Sequence, residues 1–172
     1  MEFISISKLN KKQYHDFTHI YHQSFPNNER KPLFYMKKLQ RENKMSLYGI
    51  IKEDELIGLI IFIRSSFGYI LDYLAIVEKY RCLGLGGQVL EEVYQHLQSQ
   101  PVIVEIECVN EDPITAKRKA FYLQHHFKES HIIVNFFQTD YELLSYHPMT
   151  YHQYQNILID CFGTGVTKHL KQ

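Results

Sequence analysis

Leu71-Asp72-Tyr73-Leu74-Ala75-Ile76-Val77-Glu78-Lys79-Tyr80-Arg81-Cys82-Leu83-Gly84-Leu85-Gly86-Gly87 runs from an apolar strand, through a short charged segment, into spaced glycines. Leu74 to Val77 has the continuous apolar character of a strand inside a sheet. Behind Gly86, the spacing of Val89, Leu90, Val93 and Leu97 predicts an amphipathic helix. A strand that ends in a glycine-bearing loop and a helix makes a seat for a pyrophosphate. Glycine lets a ligand approach the backbone, and the first helical turn presents unpaired N–H groups at the positive end of its dipole. Arg81 adds a permanent positive charge to the same loop.

Two other nucleotide loops fit poorly. A Walker loop needs Gly-Lys-Ser/Thr, whereas Gly86 is followed by Gly87-Gln88. A dinucleotide fingerprint needs a third glycine where Val89 stands, and a first glycine directly after the strand, whereas Glu78 to Leu83 intervene before Gly84.

Upstream of the loop, Ser46–Lys52 and Leu56–Arg64 read as strands separated by Glu53-Asp54-Glu55. Ser65-Ser66-Phe67-Gly68 leads into a third, Tyr69–Val77. Phe3–Ser7 alternates like a short strand, and Asn10 with Gln13 forms a capping box for a helix carrying Tyr14, Phe17, Tyr21 and Phe25 on one face. Pro32 opens a second helix with Phe34, Met36 and Leu39. Six Lys/Arg against two Glu between Glu29 and Lys44 give it a solvated face.

Downstream, the helix of Gly86 to Gln98 breaks at Pro101, and Val102–Cys108 reads as a buried strand. Asp112-Pro113 is an N-cap and first-turn proline for a helix reaching about to His126. His131–Gln138 and Tyr141–His147 form a closing pair of strands, and Tyr151–Phe162 a final helix. The order β α α β β β α β α β β α contains one strand–helix–strand crossover, so Tyr69–Val77 and Val102–Cys108 should run parallel. The expected fold is α/β of the α+β type. It is a mixed, mostly antiparallel central sheet with helices on both faces, in a single domain over residues 1–172.

Of the 172 residues, 45% are hydrophobic and 22% charged, an ordinary globular composition. Lys plus Arg and Asp plus Glu both total 19, so no net charge draws the protein to nucleic acid or a membrane. No apolar run approaches the ~20 residues of a membrane span, and Met1–Lys12 lacks the pattern of a signal peptide. Cys82, Cys108 and Cys161 are an odd set without a CxxC pair, and the ten histidines show no ligand spacing such as HExxH. A reducing, cytoplasmic setting and no metal are expected.

With Arg81, Gly84 and Gly86 behind the strand Leu74–Val77, the loop resembles the acetyl-CoA signature Arg/Gln-x-x-Gly-x-Gly/Ala of the GNAT N-acetyltransferases. The likeness runs roughly from Leu56 to Tyr146, and the N-terminal helices suit that family's acceptor-side elements. It implies acetyl-CoA (coenzyme A) as co-substrate. Backbone groups of Ile76 and Val77 would pair with pantetheine, and the amides of Cys82, Leu83, Gly84, Leu85, Gly86 and Gly87 would surround the pyrophosphate. Glu105-Ile106 followed by Asn110 is similar to the branch of ribosomal-protein alanine acetyltransferases. That likeness implies Glu105 as general base and Asn110 as a ligand of the pantetheine arm. Phe121-Tyr122-Leu123-Gln124-His125-His126-Phe127 resembles the next motif, aromatic-Tyr-x-x-x-Gly-Phe, whose Tyr protonates the departing thiolate. His126 replaces the glycine, and extra residues separate Asn110 from the helix of Tyr122.

The residues themselves leave alternatives open. Glu105 and Glu107 point to one side of their strand, where Glu107 also fits a solvated face or an ion pair, and Asp72 is a third candidate base. Tyr122 also fits a core position, and Lys117-Arg118-Lys119 either a solvated face or a contact to the 3′-phosphate of CoA. Glu29-Arg30 falls in the acceptor-side loop, as a substrate contact or a surface ion pair. The expected activity is direct acetyl transfer to the primary amine of a small molecule or peptide, with a catalytically silent CoA-binding sensor or scaffold as its rival. The acceptor's identity and the oligomeric state, a homodimer included, are not written in the sequence.

Overall fold

Tight turns and apolar runs lay down the sheet. The computed structural model describes residues 1–108 and 113–172. The strands are β1 (Glu2–Ser5), β2 (Met45–Lys52), β3 (Glu55–Ser65), β4 (Gly68–Ile76), β5 (Val102–Glu107), β6 (Lys128–Phe136), β7 (Thr139–Ser145) and β8 (Leu170–Lys171). The helices are α1 (Lys11–Ser24), α2 (Leu33–Arg41), α3 (Leu85–Leu97), α4 (Pro113–Leu123) and α5 (Tyr151–Phe162). The strand order is β1-β2-β3-β4-β5-β7-β6-β8. The crossover through α3 leaves β4 and β5 parallel, Tyr69 opposite Val102 and Ile70 opposite Ile103. The pairs β1–β2, β5–β7, β6–β7 and β6–β8 are antiparallel. The chain divides into two compact units, one of Met1–Phe62 with Asp72–Gly86, the other of Ile63–Leu71 with Gly87–Gln172.

In the first unit the capping box of α1 is complete. Asn10 Oδ1 accepts from the Gln13 N–H at 2.9 Å, and Gln13 Oε1 accepts from the Asn10 N–H at 3.1 Å. Phe17, Ile20 and Tyr21 are the buried face of α1. In α2, Met36 and Leu39 share a face and are buried. Phe34 lies off that face and is 77% exposed. Glu53 and Asp54 both have positive φ, 51° and 64°, which matches the twist of a two-residue hairpin turn between β2 and β3. Leu56 to Phe62 are buried without interruption. Successive residues face opposite ways, so both faces of β3 are covered. β1 ends two residues earlier than Ser7 because Ile6–Lys8 winds into a 3-10 turn that buries Ile6.

In the second unit β5 alternates beyond Ile103, burying Val104 and Ile106 and leaving Glu105 and Glu107 half-buried on the other side. Val89, Leu90 and Val93 of α3 are buried, as are Tyr154, Ile157, Leu158 and Cys161 of α5. Phe137 and Gln138 turn the β6–β7 hairpin with positive φ, 48° and 68°, so β6 stops at Phe136 rather than Gln138. Beyond α5, a 3-10 segment (Thr164–His169) and the short β8 pair the chain's end against β6, which the sequence pattern did not suggest. Asp112, the expected cap of α4, lies outside the described residues. Among the described residues no helix is long and apolar enough to cross a membrane.

Candidate active site

β4 passes into the loop through a 3-10 turn, Glu78–Tyr80. The Val77 N–H donates to the Ile57 carbonyl at 2.9 Å, and the Val77 carbonyl accepts from the Tyr80 N–H at 2.9 Å. Both backbone groups of Val77, expected to pair with pantetheine, are thus engaged within the fold. The Arg81 side chain turns back, its Nε donating to the Ile76 carbonyl at 2.9 Å. Arg81, Cys82, Leu83 and Gly84 are exposed, and Leu85 is the buried first residue of α3.

Cys82 and Gly84 have left-handed φ, 62° and 72°. Only glycine takes that conformation without steric cost, so Gly84 is the residue the turn requires. Among the described residues, a Cβ added at Gly84 would meet nothing within 4 Å. Gly87 differs: a Cβ there would come within 2.6 Å of His125 Cε1 and 2.8 Å of His125 Nε2. Its missing side chain makes room for the His125 ring.

On β5, Glu105 accepts at Oε1 a hydrogen bond from the Tyr154 hydroxyl, 2.5 Å away. Tyr154 belongs to α5 and is fully buried. Nothing in the sequence links two residues so far apart, and only packing brings them together. Glu107, two residues on, lies opposite Tyr141 of β7.

Tyr122 is buried in the last turn of α4, its ring set edge-on to Phe121 and Phe127. Burial pushes its phenol up to about 12, with the Arg118 guanidinium opposing the shift. His126 holds the left-handed position of the motif's glycine, φ 71°. Its ring stacks on Tyr94 at 3.7 Å and its Nε2 lies 2.8 Å from a Glu91 carboxylate oxygen. Lys119 lies 2.6 Å from Glu129 and 2.8 Å from Glu142, so its charge is matched within the fold. Asn110 lies outside the described residues.

Asp72 is engaged elsewhere. Lys31 Nζ donates to both carboxylate oxygens, at 2.8 and 2.9 Å. Beside it the Tyr73 hydroxyl donates to the Glu29 carbonyl at 2.6 Å and accepts from the Lys31 N–H at 3.2 Å. Asp72 therefore anchors the α1–α2 segment, a role that competes with service as a base.

The model of the Acetyltransferase (GNAT) family matches residues 14–127. YjbC of Bacillus subtilis (strain 168), whose name assigns it provisionally to the acetyltransferases, is 30% identical over 110 residues. The match covers 63% of this chain and 55% of YjbC, so the chain spans little more than half of that relative. Among solved structures, one assigned to the GNAT family from Bacteroides thetaiotaomicron matches with a TM-score of 0.80 at 20% identity, over 95% of this chain and 99% of that one. A GNAT family acetyltransferase of Elizabethkingia anophelis with acetyl-CoA bound matches with a TM-score of 0.52 at 19% identity, over 70% and 93% of the two chains. At these identities the structural likenesses speak to the fold.

Proposed function

Because the chain belongs to the GNAT family of acetyltransferases, we propose that it transfers an acetyl group from acetyl-CoA directly to a primary amine of a small molecule or peptide. The observation that carries this is the passage from β4 into α3, with left-handed Gly84, space above it that no described residue fills and Arg81 exposed at the loop's start. The N–H groups of a first helical turn and a glycine with no side chain in the way suit a pyrophosphate.

Acetyl-CoA supplies an activated thioester carbonyl, and the chain's residues manage protons around it. Glu105 takes a proton from the ammonium form of the acceptor, freeing its lone pair for attack. The Tyr154 hydroxyl holds that carboxylate in one orientation. Tyr122, its phenol kept protonated by burial, delivers a proton to the departing sulfur. A C–N bond forms as the C–S bond breaks, and none of the three cysteines is required as a nucleophile.

The test is the melting temperature of the protein with CoA, NAD and ATP. CoA should raise it while the others have little effect. Gly84→Asp and Gly86→Asp should abolish the rise, because each puts bulk and negative charge against the pyrophosphate. Normal CoA affinity in both variants would overturn the assignment of this loop.

A further inference from the structure

The proton transfers proposed above assign no role to the segment between α1 and α2. A cleft of about 260 Å³ opens there, lined by Tyr21, His22, Asn27, Arg30, Lys31 and Pro32 among others. Among the described residues its lining holds Arg30 and Lys31 and no carboxylate. Lys31 is matched by Asp72, whereas Arg30 makes no ion pair among the described residues. Arg30 Nη1 donates to the His22 carbonyl at 2.9 Å and also to His22 Nδ1. Both bonds use one nitrogen of the guanidinium, so its other edge, with Nη2, is left to grip a planar or tetrahedral oxyanion in fork geometry. With Nδ1 accepting, the donor of His22 is Nε2.

The cleft is held in place before any ligand arrives. Tyr21 donates to the Lys31 carbonyl at 3.0 Å, Tyr73 ties down Glu29 and Lys31, and Asp72 holds the Lys31 ammonium. Arg30 sits between two pinned residues, so binding costs little ordering. Two of the pins, Asp72 and Tyr73, lie on β4, and Ile76 is three residues beyond Tyr73, roughly 10 Å along the strand.

We propose that this cleft binds an oxyanion carried by the acceptor, a carboxylate or a phosphate, with Arg30 as the specificity-determining residue. The proposal rests on the acetyl-transfer reading for its acceptor and narrows that acceptor to amines bearing an anionic group several bonds from the nitrogen.

The experiment has one arm without catalysis and one with it. The CoA-free protein is titrated with glutarate and, separately, with inorganic phosphate, following the amides of residues 22–33 and the Arg30 side chain by NMR. Saturable shifts confined to that segment are expected, the tighter probe identifying the kind of oxyanion. They should vanish in Arg30→Met and partly return in Arg30→Lys. Should Arg30→Met fail to fold, Asn27→Asp, which adds a carboxylate to the cleft, should abolish them instead. In the second arm, 6-aminohexanoate should exceed hexylamine in kcat/KM by about tenfold or more, the scale of a charge-assisted hydrogen bond, and Arg30→Met should erase the difference. Absence of saturable shifts, or shifts unchanged in the folded variants, overturns the site. Equal use of the two amines overturns its link to the acceptor. If neither amine is acetylated, the transfer reading is the one in question, and the titration still decides the cleft.

Discussion

The hydroxyl of Tyr154, 2.5 Å from Glu105 Oε1, fixes a carboxylate that the strand's alternation leaves half-buried beside apolar neighbours. If that carboxylate is the base, Glu105→Gln should lower kcat by about 10²-fold or more at pH 7. Part of the rate should return at high pH, where more amine arrives deprotonated. Tyr154→Phe should show a milder loss, since it leaves the carboxylate but removes its tether. A pH–rate profile of the variants checks this. If Glu105→Gln keeps the wild-type profile and Asp72→Asn loses its acidic limb, the base is Asp72. For Tyr122, burial raises the phenol to about 12, so its proton is retained across the working range and it contributes no falling limb near its ordinary pKa of 10.0. Tyr122→Phe should therefore cut kcat by about 10²-fold with CoA affinity intact, and an unchanged kcat under chemistry-limited conditions would return Tyr122 to the core. Arg81, Gly84 and Gly86 drew notice by their spacing together with their place between a strand and a helix, and Tyr122 only through the motif it resembles, all of them local signals. Tyr154 and the Lys31–Asp72 pair carry no such signal, because tertiary packing chooses those partners.

α4 ends at Leu123, short of the expected His126. The cause is local: the N–H groups of His125 and Phe127 both turn back to the Tyr122 carbonyl, at 3.0 and 3.3 Å, with His126 left-handed between them. Glycine would make that turn without strain, while His126 bears a cost of about 1 kcal/mol, offset by its stacking on Tyr94 and its contact with Glu91. Helix and strand positions were legible because apolar periodicity extends over many residues. β8 and the 3-10 turns are too short to carry such a period. His125 gives this turn a pH signature. Burial, with the neighbouring His126, lowers its pKa below the ordinary 6.5. The unfolded chain then takes up a proton near pH 6.5 that the folded chain takes up only at lower pH. This contribution to stability is complete above that value and is lost as pH falls below it. His125→Gln should flatten the fall in melting temperature between pH 7 and pH 5, and an equally steep fall would refute the assignment.

For the molecule as a whole, the succession of hairpins followed by one crossover was readable, and the parallel β4–β5 pair follows from it. The crossover helix α3 begins where the glycine loop ends, so the element order that makes the sheet mixed also positions the loop. The central claim is that this scaffold turns over acetyl-CoA rather than merely holding it. The direct measurement is incubation with acetyl-CoA carrying a ¹³C-labelled acetyl group and a panel of primary amines, with free thiol and labelled amide quantified together by mass spectrometry. The account predicts that one class of amine gains the labelled acetyl group in equal amount to the thiol released. Tight CoA binding without thiol release across the panel, or thiol release without any amide, would contradict it.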